Sequence, residues 1–169
     1  MLNTVEQVSE AVAAFANRIG EKLREPHSCA RVLTVFIGTN SFEEDLPQYN
    51  NSISLPLPVA TNSSAELIKY ALAGLKSIYQ VHHLYKKAGV IVTGIVPVDQ
   101  VQGHLFNSAD REREAKAATA MDQLNTKFGR NTVKFAVQGK EKAFWHPKFE
   151  KRSPRYTTQW KELPKVELT

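Results

Sequence analysis

The chain has one cysteine, Cys29, among 169 residues. That excludes an intrachain disulfide and any zinc knuckle built on a CxxC pair. No apolar run approaches the roughly 18–20 residues that a membrane-spanning helix needs, and Met1 leads into polar and acidic residues, with no signal peptide visible. The expectation is a cytoplasmic protein with no membrane partner. No P-loop, no Gly-rich dinucleotide turn and no Ser-His-Asp order is present. His27 with Cys29, and the pair His82-His83, lack a carboxylate or cysteine at ligand-like spacing, so no metal site is expected. Cys29 itself, at the start of a strand, is expected simply to be buried. Three consecutive carboxylates, Glu43-Glu44-Asp45, could hold two Mg²⁺ ions for phosphoryl transfer only if a rigid strand aimed them. They sit at a loop tip and are expected to be solvated. No catalytic residue and no cofactor is expected.

What is present divides unevenly. Residues 1–107 carry 8 Lys/Arg against 9 Asp/Glu, whereas residues 130–165 carry 10 against 3. The basic segment is interleaved with aromatics, a composition that suits a polyanion such as DNA. The length allows one ordinary domain, or a small domain with an appendage, and a hydrophobic content of 42% is compatible with a packed core.

Hydrophobic spacing gives the order of elements. Thr4-Val5-Glu6-Gln7 has the form of a capping box, and Val5, Val8, Val12, Phe15, Ile19 and Leu23 then recur at three- and four-residue steps. This predicts a helix to about Arg24, stopped by Pro26. Arg31 to Ile37 reads as a strand, with a loop from Gly38, and Gln48 to Leu57 as a second strand. In the second, Asn51, Ile53, Leu55 and Leu57 share one face while Ser52, Ser54 and Pro56 share the other, so one face of the sheet is expected to be open and polar. Ser63-Ser64-Ala65-Glu66 is another capping box, opening a helix to about Tyr79 with Leu67, Ala71, Leu75 and Ile78 buried. A third strand is predicted from Tyr85 to Val96, with Pro97 ending the pairing.

The predicted fold class is α+β: two helices on one face of a mainly antiparallel sheet, followed by a small helix-plus-strands C-terminal domain. A balanced unit of this kind would start with another strand before the first helix. The helix starts almost at Met1, so that strand is expected to be missing and one sheet edge to be unpaired. In the C-terminal part, Asp110 to Phe128 is predicted as a charged helix with Ala117, Met121, Leu124 and Phe128 on one face. Gly129 stands at its C′ position. Thr132 to Val137 reads as a strand and Gln138-Gly139 as a turn, with short strands and turns beyond.

Between the two parts lies Gln102-Gly103-His104-Leu105-Phe106, a glutamine followed three and four residues later by a large apolar pair. Together with LTVFIGTN at Leu33 to Asn40, LPQYNNSISLPLP at Leu46 to Pro58, YKKAGV at Tyr85 to Val90, NTKFGRNTVKFAVQG at Asn125 to Gly139 and SPRYTTQW at Ser153 to Trp160, it resembles the C-terminal part of the UmuC-type catalytic subunits of bacterial DNA polymerase V, Y-family translesion polymerases of SOS mutagenesis. The resemblance implies a little finger DNA-binding domain over residues 1–98, a linker with a clamp-binding peptide over 99–107, and a UmuC-type C-terminal domain over 108–169. It implies sequence-independent DNA contacts at Thr39, Asn40, Ser52, Ser54, Lys86 and Lys87. It also implies docking on the sliding clamp through Gln102, Leu105 and Phe106. Gly103 stands where the family often has a larger apolar residue.

The palm, fingers and thumb of such polymerases, with their Mg²⁺-binding carboxylates, have no counterpart in these residues. The chain is therefore expected to be a truncated product or fragment, inactive alone and associated with the nucleoid. The other reading is a non-catalytic interaction protein that binds a UmuD-like accessory subunit and modulates the complete enzyme.

Overall fold

A computed structural model of the chain describes residues 2, 4–43, 45–102, 111–139 and 153–163. Helix α1, Val5–Arg24, starts where the capping box predicts: the Thr4 hydroxyl accepts from the Gln7 amide at 3.3 Å. Glu6 in the first turn and Lys22 and Arg24 in the last complement the helix dipole. Helix α2, Ser64–Ile78, is capped in the same way by Ser63, whose hydroxyl accepts from Glu66 N.

The two helices lie side by side on one face of an antiparallel sheet. Strands β1, Ser28–Thr39, β2, Asn50–Thr61, and β3, Tyr85–Thr93, run in the order β2-β1-β3. The core between the layers holds Val8, Val12, Leu33, Val35, Leu67 and Leu75, all essentially inaccessible. Burying each such side chain contributes about 1.5–3 kcal/mol. The α+β class and the antiparallel sheet are as the sequence predicts.

Three features differ from the sequence prediction. The strand expected over 85–96 is two strands. Gly94 adopts φ +64°, a left-handed conformation that breaks β3. The chain then re-enters the sheet as β4, Val96–Pro97, against Ser28 and Cys29 at the start of β1. β1 extends beyond the predicted Arg31 to Ile37 at both ends, and β2 starts at Asn50 instead of Gln48 but continues to Thr61, with Val59, Ala60 and Thr61 buried. Finally, the strand expected over 132–137 does not form. Asn131 takes a positive φ, turning the chain back, and the Asn125 side chain then grips Val133 through both its N–H and its C=O at 2.9 Å. The chain continues into a 3₁₀ turn, Ala136–Gln138, packed on α1. With its N–H and C=O both satisfied by a side chain, Val133 has no need of a sheet neighbour. Among the described residues of 108–169 there is no strand at all.

Helix α3, Arg111–Phe128, buries none of its residues, and Leu124 and Phe128 of its predicted apolar face are 41% and 62% exposed. It is tied to the rest mainly by ion pairs. Arg24 binds Asp122 bidentately, Nε to Oδ2 at 2.6 Å and Nη2 to Oδ1 at 2.8 Å, while its Nη1 donates to the Asn62 carbonyl at 2.8 Å. Arg111 reaches Glu66 at 3.5 Å.

Beyond β3 only one described residue pairs with the outer edge of the sheet: Leu2 exchanges two backbone bonds of 2.9 Å with Tyr85. The ring of Tyr85 is 1% exposed. It packs against Tyr79 at 5.4 Å and Tyr49 at 6.4 Å, and its hydroxyl both donates to Gln80 O and accepts from Gln80 N. Burial pushes its phenol above the ordinary tyrosine range. No helix among the described residues is long and apolar enough to cross a membrane.

Candidate nucleic-acid interface

The helices cover one face of the sheet and leave the other open. The register sets which side chains stand there. Across the three strands the open face reads Asn50–Gly38–Lys87, then Ser52–Phe36–Gly89, then Ser54–Thr34–Ile91, then Pro56–Val32–Thr93. The alternate positions, such as Ile53–Val35–Val90 and Leu55–Leu33–Val92, point at the helices. Successive residues of a strand face opposite ways, so the polar positions of β2 and the apolar ones separate cleanly.

Two properties of this face matter for a polyanion. None of the residues 28–39, 50–61 and 85–93 is Asp or Glu, while Arg31, Lys86 and Lys87 are cations. The carboxylates of this layered unit lie in the helices and loops, so a duplex laid on the sheet would meet no like charge from the strands. The second property is low relief. A β-carbon at Gly89 would collide with the tip of the Phe36 ring, so that ring reaches over the β3 backbone in the space the missing side chain leaves. In the same way Asn50 lies across Gly38. Small residues let a second backbone come close, which is how amides and short hydroxyls reach phosphates.

The residues predicted as DNA contacts fall into two groups. Ser52 and Ser54 are exposed on the open face, and Ser54 shares a 2.8 Å hydrogen bond with Thr34. Lys86 and Lys87 are both exposed at one end of it. They fall where the β1–β3 register shifts by one residue, between Thr39–Tyr85 and Gly38–Lys87. Thr39 is 3% exposed, and its hydroxyl donates to Gln48 Oε1 and accepts from Tyr49 N. Asn40 is half-buried, donating to Glu43 Oε1 at 2.8 Å. Both build the loop between β1 and β2, which the Gln48 amide staples by donating to the carbonyls of Asn40, Glu43 and Leu46. Asn50, Thr34, Phe36 and Thr93 belong to the face and are not among the contacts the sequence predicts. The period-2 alternation of β1 alone contains the signal for Thr34 and Phe36.

Gln102 is exposed just beyond the 3₁₀ turn Val98–Gln100. Leu105 and Phe106 lie outside the described residues, as does Glu44 of the acidic loop. Among the described residues no three His, Cys, Asp or Glu side chains come together as metal ligands. Cys29 is buried, and that burial raises its thiol pKa, which disfavours the reactive thiolate. His83 packs on Tyr49 at 5.1 Å instead of facing another ligand.

Comparison with known proteins covers nearly the whole chain. A family model described as the impB/mucB/samB family C-terminal domain matches residues 1–105, and one described as a domain of unknown function matches residues 116–166. Protein UmuC of Salmonella typhimurium is 36% identical over 162 residues, 95% of this chain and 38% of its own. Protein SamB of Salmonella typhimurium is 32% identical over 169 residues, 99% of this chain and 39% of its own. Protein MucB of Escherichia coli is 35% identical over 164 residues, 96% of this chain and 38% of its own. The chain thus spans under two-fifths of the length of the curated relatives it matches.

Proposed function

The chain belongs to the impB/mucB/samB family, and from its open sheet face we infer that it is the DNA-contacting and clamp-docking C-terminal portion of a UmuC-like translesion polymerase. The observation that carries the reading is the sheet face itself: rich in small and polar residues, free of strand carboxylates and bordered by Lys86 and Lys87. Hydroxyls of Ser52 and Ser54, the Asn50 amide and exposed lysines are donors for phosphate oxygens. They position a duplex without reading its bases. The strands offer no carboxylate for a two-metal site, so the chain contributes grip rather than nucleotide transfer. Gln102, Leu105 and Phe106 supply a tether to the sliding clamp, with Gln102 at the pocket rim and the apolar pair as anchors.

Salt dependence tests the DNA reading. Each lysine that neutralises a duplex phosphate adds about 0.9 to the logarithmic slope of affinity against salt. Replacing Lys86 and Lys87 with alanine should weaken binding to all duplex sequences alike and flatten that slope by about 1–2 units. An unchanged slope, measured by fluorescence anisotropy across a salt series, would assign both lysines to a solvated strand end.

A second reading has support in α3. With no buried residue and with Leu124 and Phe128 exposed, this helix presents a surface fit for a protein partner, such as a UmuD-like accessory subunit. In that role the chain modulates the complete enzyme, and its binding needs no phosphate contacts.

A further inference from the structure

Two loops close one end of the sheet: residues 40–49, between β1 and β2, and residues 79–84, between α2 and β3. In the first Phe42 is 89% exposed, and in the second Val81 is 64% exposed. The two loops share a cavity of about 150 Å³, lined by Leu46, Pro47 and Leu84 and by Asn40, Gln48 and His82. We propose that this corner docks a protein segment that inserts one aliphatic or aromatic side chain into the cavity, flanks it with Lys or Arg, and packs against Phe42.

The chemistry of the cavity selects an apolar guest. Its polar groups are already committed inside the protein. The Asn40 side chain donates to Glu43 Oε1 and accepts from Phe42 N, and the Gln48 amide donates to three carbonyls while accepting from the Thr39 hydroxyl. A sugar or phosphate placed there would lose water and gain few hydrogen bonds, whereas an apolar side chain loses none. An apolar protein cavity of about this volume holds benzene, so a phenylalanine ring or a branched aliphatic side chain fits. Charge selects what flanks the guest. The two loops contain Glu43, Glu44 and Asp45 and no Lys or Arg, the first cations being Lys86 and Lys87 on β3. An acidic loop repels a nucleic-acid backbone and attracts a basic polypeptide. Both loops are fixed before any partner arrives: Gln48 ties the first, the Tyr49 hydroxyl donates to Ile78 O at 2.7 Å, and the His83 ring packs on Tyr49. Little ordering remains to oppose binding at a corner held in this way. The docking does not depend on what the open face of the sheet binds.

The experiment uses the full chain, immobilised, to select from a display library of short random peptides. Selected peptides should carry a leucine, isoleucine or phenylalanine beside Lys or Arg. When a synthetic copy of the strongest binder is titrated into the chain, the amides of Phe42, Leu46, Val81 and Leu84 should shift. Phe42→Ala and Asp45→Lys, both at exposed positions, should each weaken that binding at least about tenfold, with the melting temperature unchanged. The proposal is overturned if no peptide family is enriched, or if the enriched family lacks the cations. It is equally overturned if binding survives both substitutions, or if these loops shift on addition of DNA and not of the peptide.

Discussion

Replacing Tyr85 with alanine is expected to cost about 3–5 kcal/mol, the usual range for deleting a fully buried aromatic side chain. The ring sits where the start of β3, the end of α2 and the loop before β3 converge, packed on Tyr79 and Tyr49. Its loss opens a cavity and also leaves the Gln80 N–H and C=O without the hydroxyl that now serves both, at 3.0 and 2.8 Å. For a chain of this size the melting temperature should fall by roughly 10 °C. Tyr85→Phe separates the two contributions: it keeps the ring, and should lose only the roughly 1–3 kcal/mol associated with orphaned polar groups. Thermal melts followed by circular dichroism decide it. Equal losses in the two variants would mean that the hydroxyl, not the packing, holds this corner.

The second large effect is expected in binding rather than in stability. Removing both Leu105 and Phe106 as alanines should weaken clamp affinity by at least about 2 kcal/mol, roughly thirtyfold, the scale of an interface hot spot. The pair stands isolated among polar residues. The apolar pair follows the exposed turn Val98–Gln100 and exposed Gln102, and Asn107, Ser108 and Asp110 come after it. Two large side chains in a polar linker either fold back on the domain or fill a partner's pocket. Parallel measurement of clamp affinity and melting temperature distinguishes these: anchors lose affinity with the melting temperature unchanged. A large drop in melting temperature with clamp binding intact would make the pair part of the core.

How much of this is legible in the sequence depends on how local the cause is. The N-termini of α1 and α2 can be read to within a residue, because a capping box is complete within four positions and needs no neighbour. Ser52 and Ser54 can be placed on the open face because strand alternation is also local. What the sequence does not show has the opposite property. Thr39 and Asn40 look like exposed loop polar groups, but Gln48, nine residues on, accepts from the Thr39 hydroxyl and Glu43 accepts from the Asn40 amide. Thr132 to Val137 has the β-branched residues of a strand but no strand beside it, and Asn125 satisfies Val133 instead. Asn50 over Gly38, and the Phe36 ring over Gly89, become visible only once the pairing register is known, since register couples residues 12 and 53 positions apart.

The central claim, that the open face of the sheet is what meets duplex DNA, is tested most directly by mapping amide chemical shifts as a short duplex of mixed sequence is added. The account predicts perturbations at Phe36, Asn50, Ser52, Ser54, Lys87 and Gly89. It predicts little change at Arg18, Lys22, Lys69 and Lys76, which carry the same charge on exposed sites of the helical layer. Shifts confined to the helices or to the C-terminal segment, with the three strands silent, would contradict it.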